Sequence, residues 1–113
     1  MEFLIRADAS VHIGSGHVMR CITLAHALQR RGHRSTFVMR AQGFDCVLLP
    51  HHKDAAQEAA DEPSLAHSAW LGCTQAQDVA DCLPHIRALS PDWIICDHYA
   101  LSDIWQRAAR AVC

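Results

Sequence analysis

The stretch FLIRADASVHIGSGHVMR, Phe3–Arg20, decides how this chain folds. It opens on a short apolar run, Phe3-Leu4-Ile5, and passes through a polar loop carrying Gly14-Ser15-Gly16. It then enters a helical pattern that continues to about Arg31. Strand, glycine loop and helix in that order set backbone N–H groups at a helix N-terminus, where phosphate or another negative charge is favoured. The same loop puts an imidazole, His17, in the first turn of the helix.

Working outward, Val18, Cys21, Ile22, Ala25 and Leu28 recur at the spacing of one buried helix face. Arg30 and Arg31 occupy the last turn, where cations suit the helix dipole, and Gly32 stands where a left-handed cap is expected. Ser35-Thr36-Phe37-Val38-Met39 reads as a second strand, and a strand, helix and strand in this compass form a right-handed βαβ unit.

The segment from Gln42 to Leu71 is less regular. Phe44 to Leu49 is an apolar run of ambiguous type, closed by Pro50. Lys53 to Glu62 is polar and alanine-rich, either a short helix or an excursion, and Pro63-Ser64 breaks it. Thr74 and Gln77 match a capping box ahead of the periodic set Val79, Cys82, Leu83 and Ile86, with a kink or break expected at Pro84. Trp93-Ile94-Ile95-Cys96 is a continuously apolar strand of the kind buried on both faces in parallel sheets, and Asp97-His98-Tyr99 follows at its C-terminal end. Leu101, Ile104, Trp105, Ala108 and Val112 then mark a last amphipathic helix.

This order predicts an α/β fold: a Rossmann-like parallel sheet with flanking helices, its strands near residues 2–7, 34–40 and 92–97. Ligands of such sheets bind beyond the C-terminal strand ends, where both the glycine loop and Asp97-His98-Tyr99 fall. The last residues form a helix after which another strand would normally come, so residues 1–113 read as the N-terminal domain of a larger protein.

At 113 residues, half of them hydrophobic and 19% charged, the chain has enough apolar material for one domain's core. A net charge of −2 leaves no basic footprint for nucleic acid. No apolar run approaches the roughly 18 residues of a membrane helix, and the N-terminus has no signal-peptide pattern. Six cysteines without a secretion signal point to free thiols in the reducing cytoplasm, and Cys21, Cys82 and Cys96 recur on apolar faces as small core residues. No Cys-x-x-Cys or His-x-x-x-His pair appears among the six cysteines and nine histidines, so no metal is expected, and His51-His52 and the scattered others read as surface residues.

Gly14-Ser15-Gly16 by itself is a weak signal, which a structural turn and helix start would also give. A dinucleotide fingerprint would need glycine where Met19 stands and an acidic residue after the second strand, where Arg40 stands, and no P-loop lysine follows. No nucleotide cofactor is therefore expected. His17 carries more information, because a helix N-terminus disfavours the imidazolium cation and a neutral imidazole suits a general base. Asp8 reads either as a partner for a sugar hydroxyl or for His17, or as a turn-capping aspartate. Arg20, one turn beyond His17, is positioned either to meet a phosphate or to be solvated. Tyr99 either packs on a sugar ring or covers the sheet edge.

Arg6-Ala7-Asp8-Ala9-Ser10 followed by Ile13-Gly14-Ser15-Gly16-His17-Val18-Met19-Arg20, with Asp97-His98-Tyr99 after an apolar strand, resembles the signature of the PseG family. These are the UDP-2,4-diacetamido-2,4,6-trideoxy-β-L-altropyranose hydrolases of pseudaminic acid biosynthesis. The resemblance runs from Met1 to about Trp105. It implies the N-terminal half of a glycosyltransferase-B-like fold, with the site between two Rossmann-like domains. It also implies metal-independent hydrolysis that releases UDP from the anomeric carbon with inversion. On it, His17 would be the base, Tyr99 a substrate contact, and Asp8, Gly14, Gly16 and Arg20 would belong to the substrate site. The UDP-sugar would be the partner, and a C-terminal domain holding most nucleotide contacts would complete the site. A diphosphate is a good leaving group, so one base can suffice where a typical inverting glycosidase needs two carboxyl groups. Two other readings use the same residues: a glycosyltransferase, in which the base activates an acceptor hydroxyl, and a non-catalytic nucleotide-sugar-binding fragment.

Overall fold

A computed structural model of the chain describes residues 1–9, 13–40, 46–50, 52 and 67–113. Its elements are β1 (Glu2–Ala7), α1 (Gly16–Arg30), β2 (Arg34–Met39), β3 (Val47–Leu48), a 3₁₀ turn (Ser68–Leu71), α2 (Gln75–Leu89), β4 (Trp93–Asp97) and α3 (Asp103–Arg110). The strands form one sheet in the order β3-β2-β1-β4, and every pairing is parallel. The three expected strands are present and parallel. The ambiguous apolar run contributes the short edge strand Val47–Leu48, while Phe44 and the Lys53–Glu62 segment lie outside the described residues.

β1 is the central strand, and its alternation builds three layers. Ile5 and Ala7 face α1, where they meet Val18, Cys21 and Met39. Leu4 faces the other side, among Val38, Val79, Cys82, Ile86, Trp105 and Ala109 of β2, α2 and α3. Period-2 side chains on a strand pressed between helices are buried on both faces, and Leu4 through Ala7 are fully enclosed.

The helix ends obey their local chemistry. Gly32 takes φ +81°, its N–H donates to the Gln29 carbonyl, and the His33 N–H reaches the Leu28 carbonyl, completing a Schellman close on α1. Thr74 and Gln77 form the expected reciprocal capping box: the Gln77 N–H donates to Thr74 Oγ1 at 3.1 Å and the Thr74 N–H to Gln77 Oε1 at 2.9 Å.

Two expectations need correction. Of the kink or break expected at Pro84, the break is absent: α2 continues through that residue. Pro84 and Ala80, whose carbonyl loses its helical partner, both lie on the exposed side, where water can take over. In α3, Ile104 is 62% exposed, and Ala109 completes the buried stripe with Leu101 and Trp105. No helix among the described residues is long and apolar enough to cross a membrane.

Candidate functional site

The register Ala7↔Asp97 sets the end of β4 beside the end of β1, at the C-terminal edge of the sheet, and α1 begins above it. His17, Arg20 and Cys21 stand at i, i+3 and i+4 on α1, one face of the first two turns. All three turn toward the Asp97 carboxylate. His17 Nδ1 lies 2.6 Å from Asp97 Oδ1. Arg20 forks onto the same group, Nε to Oδ2 at 2.9 Å and Nη2 to Oδ1 at 2.7 Å. The Cys21 thiol donates to Oδ2 at 3.6 Å.

A carboxylate only accepts hydrogen bonds, so the short Asp97 contact puts a proton on His17 Nδ1 and leaves Nε2 as the ring's acceptor position; Arg20 Nη2, 3.2 Å from the same Nδ1, directs its donors to the Asp97 oxygens instead. Burial opposes ionisation of Asp97, but its hydrogen bonds from Arg20 and His17 prevail and hold the carboxyl below its usual range. The Tyr99 ring meets the His17 ring edge to face, with centroids 4.8 Å apart. His17 is 8% exposed and Tyr99 59%. The two motifs singled out in the sequence, some eighty residues apart, thus converge on one another.

Gly14 has φ +75°, a conformation in which a side chain is strained. Gly16 differs: its φ is unexceptional, it is exposed, and a Cβ built on it meets nothing within 4 Å. Nothing described in the chain itself requires glycine there. Ser15, at the N-cap of α1, makes no side-chain cap, and the first turn carries no acidic residue.

Asp8 does not orient His17; that role falls to Asp97. Asp8 is buried and engaged from several sides: Arg6 Nη1 at 2.6 Å from Oδ1, Arg6 Nη2 at 3.0 Å from Oδ2, and the Arg40 N–H at 2.7 Å from Oδ1. His98 Nδ1 accepts the Ala100 N–H at 3.0 Å, which fixes the proton of the neutral ring on Nε2. That Nε2 stands 3.1 Å from Asp8 Oδ2, outside good hydrogen-bond alignment. Burial penalises the Asp8 carboxylate, and the contacts with His98 and Arg6 overcome the penalty, holding it well below the ordinary carboxylate range.

Arg6, fully buried on the central strand, also grips Asp78 of α2 with Nη2 at 2.6 Å and Nε at 3.1 Å. Asp78 further accepts Arg40 Nη2 at 2.5 Å and the Trp105 indole N–H at 2.8 Å. Arg40 continues to Asp81 at 3.0 Å, and His52 meets the same carboxylate at 2.7 Å. This chain of ion pairs underlies the site and ties β1, β2, α2 and α3 together.

The thiols of Cys21, Cys73 and Cys96 offer no nucleophile at neutral pH. Burial pushes Cys21 up to about 11 and Cys73 and Cys96 up to about 12. Two surface grooves lie away from His17. One borders Glu2, His33 and Arg34 at the opposite end of the sheet, and the other runs between β4 and α3 along Trp93 and Gln106.

The sequence reading missed three parts of this arrangement: Asp97 as the partner of His17, the Arg6–Asp78 pair, and the aromatic residues His67 and Trp70 near Tyr99. The i, i+3, i+4 placement of His17, Arg20 and Cys21 was the available signal for a shared partner. No protein-family model, no curated protein and no solved structure matches this chain.

Proposed function

We propose that this chain is the base-bearing domain of a nucleotide-sugar hydrolase of the PseG type, acting in the cytoplasm on a UDP-linked diacetamido-trideoxy sugar. The observation that carries the reading is the His17–Asp97 pair, 2.6 Å apart, formed at the C-terminal sheet edge between the two motifs on which the family resemblance rests. A glycosyltransferase-B-like architecture, with a second α/β domain supplying most nucleotide contacts, completes the proposal.

In this mechanism His17 Nε2 removes a proton from water as the water oxygen attacks the anomeric carbon. The bond from that carbon to the β-phosphate oxygen breaks, and its electron pair leaves with UDP. A single displacement inverts the anomeric centre. Asp97 holds the ring through Nδ1–H and stabilises the imidazolium as it forms. The uncapped start of α1 offers backbone N–H groups to charge gathering on the diphosphate, and Gly16 lets the phosphates approach that backbone without a side chain in the way.

The test is His17→Asn in the protein carrying both domains. Turnover should fall about 10²–10⁴-fold, the usual worth of a general base, with little change in affinity or melting temperature. A folded variant with near-normal UDP release removes His17 from the mechanism. Sugar transfer to an added acceptor hydroxyl in place of water would move the assignment to a glycosyltransferase. The 113-residue chain alone should release UDP poorly or not at all.

A further inference from the structure

The 3₁₀ turn Ser68–Leu71 brings an aromatic group to the site that the proposed mechanism does not use. His67 and Trp70 stack with ring centroids 4.1 Å apart and planes at 24°. Both rings stand beside Tyr99, at 5.7 Å from His67 and 6.3 Å from Trp70, and Tyr99 in turn touches His17. The result is a continuous row, Trp70–His67–Tyr99–His17, assembled from three separate segments. Tyr99 and His67 are exposed and Trp70 is half-buried, so the row presents ring surface to solvent.

We infer that His67, Trp70 and Tyr99 form the wall on which the sugar ring of the substrate stacks. This inference rests on the function proposed above. Its geometric ground is reach. A base takes its proton from a water about 3 Å away, and that water lies about 3–3.5 Å from the carbon it attacks. The sugar ring therefore begins within roughly 7 Å of His17, the neighbourhood that the Tyr99 ring, 4.8 Å away, occupies. The nucleobase is separated from that carbon by two phosphates and a ribose and lies beyond this range.

Trp70 is its own reporter. Of the chain's three tryptophans, Trp105 is buried and Trp93 sits at the opposite end of β4. In the two-domain protein bearing His17→Asn, so that ligand is not consumed, UDP-2,4-diacetamido-2,4,6-trideoxy-β-L-altropyranose and UDP alone are titrated separately against tryptophan emission. The nucleotide sugar should change the emission, UDP should not, and Trp70→Phe should abolish the signal while calorimetry shows affinity retained. Trp70→Ala should weaken sugar binding about tenfold. An equal response to UDP, no response to the nucleotide sugar, or unchanged affinity in Trp70→Ala would each overturn the wall. UDP release by the two-domain protein tests the hydrolase reading separately. Release with a silent Trp70 removes the wall alone, and a Trp70 response without release removes the hydrolase alone.

Discussion

At the scale of single residues, the site depends on which atoms are occupied by partners and which positions are left open. Asp8 looked like a ligand contact in the sequence because it precedes the glycine loop. In the fold its oxygens are taken by Arg6, Arg40 and His98, and Asp97 does the work at His17. Arg20, read as a possible phosphate partner, is forked onto Asp97 although 65% of its side-chain surface stays exposed, so its guanidinium faces both the pair and the solvent. No local pattern could have revealed Asp97 as the partner, because the contact joins residues 80 positions apart through the β1–β4 pairing. Gly16 allows a direct test. It has an ordinary φ and open space around its Cβ direction, so Gly16→Ala should leave the melting temperature unchanged or slightly higher, alanine being the better helix former. In the proposed hydrolase the added methyl stands where phosphates approach, and UDP-sugar turnover in the two-domain protein should drop at least tenfold. A fully active, equally stable Gly16→Ala protein would show that the backbone there meets no ligand.

At the scale of elements, the periodic and capping signals carried most of the fold. Helix α1 was bounded by its glycine loop and Gly32, α2 by Thr74 and Gln77, and the strands by short runs of β-branched and aromatic residues. What escaped was tertiary. A two-residue strand such as Val47–Leu48 has too few side chains to show a period. Proline in a helix reads as a break unless one knows which side faces water. In α2 the carbonyl that Pro84 deprives is at Ala80, exposed like Pro84 itself, and both helix ends are anchored, by the capping box at Thr74 and by Ser90 N–H donating to Ile86 at 2.9 Å. The helix therefore continues, but with one hydrogen bond fewer and a ring crowding the preceding turn. Pro84→Ala should restore both, adding about 1–3 kcal/mol. In a domain of this size that raises the thermal midpoint by several degrees or more. An unchanged or lower midpoint would mean that proline's restriction of the unfolded chain outweighs the lost hydrogen bond.

At the scale of the whole molecule, the chain places its strongest electrostatics inside. Arg6 sits at 0% exposure on the central strand, and Asp8, Asp78 and Arg40 are drawn around it from β1's end, α2 and β2. Composition could not show this, since a net charge of −2 says nothing about where the charges lie. Burial opposes ionisation of both Asp8 and Asp78, yet the surrounding charges and hydrogen bonds keep both below their unfolded values. A carboxyl whose folded pKa is depressed adds stability above its unfolded value, near 4, and loses it as pH falls toward the folded value. Stability measured by urea unfolding should accordingly be nearly level from about pH 5 to 7 and fall steeply below about pH 4. The slope there counts the protons taken up on unfolding. Asp78→Asn tests the assignment in two ways. It leaves Arg6 and Arg40 short of a counter-charge in the interior and should cost about 3–5 kcal/mol at neutral pH. It also removes one titrating group, so whatever stability remains should decline less steeply in acid than in the unaltered protein. A variant with the full acid slope would place the titration outside this network, and a wild-type protein equally stable at pH 2 and pH 7 would mean that the buried pairs contribute nothing that protonation can remove.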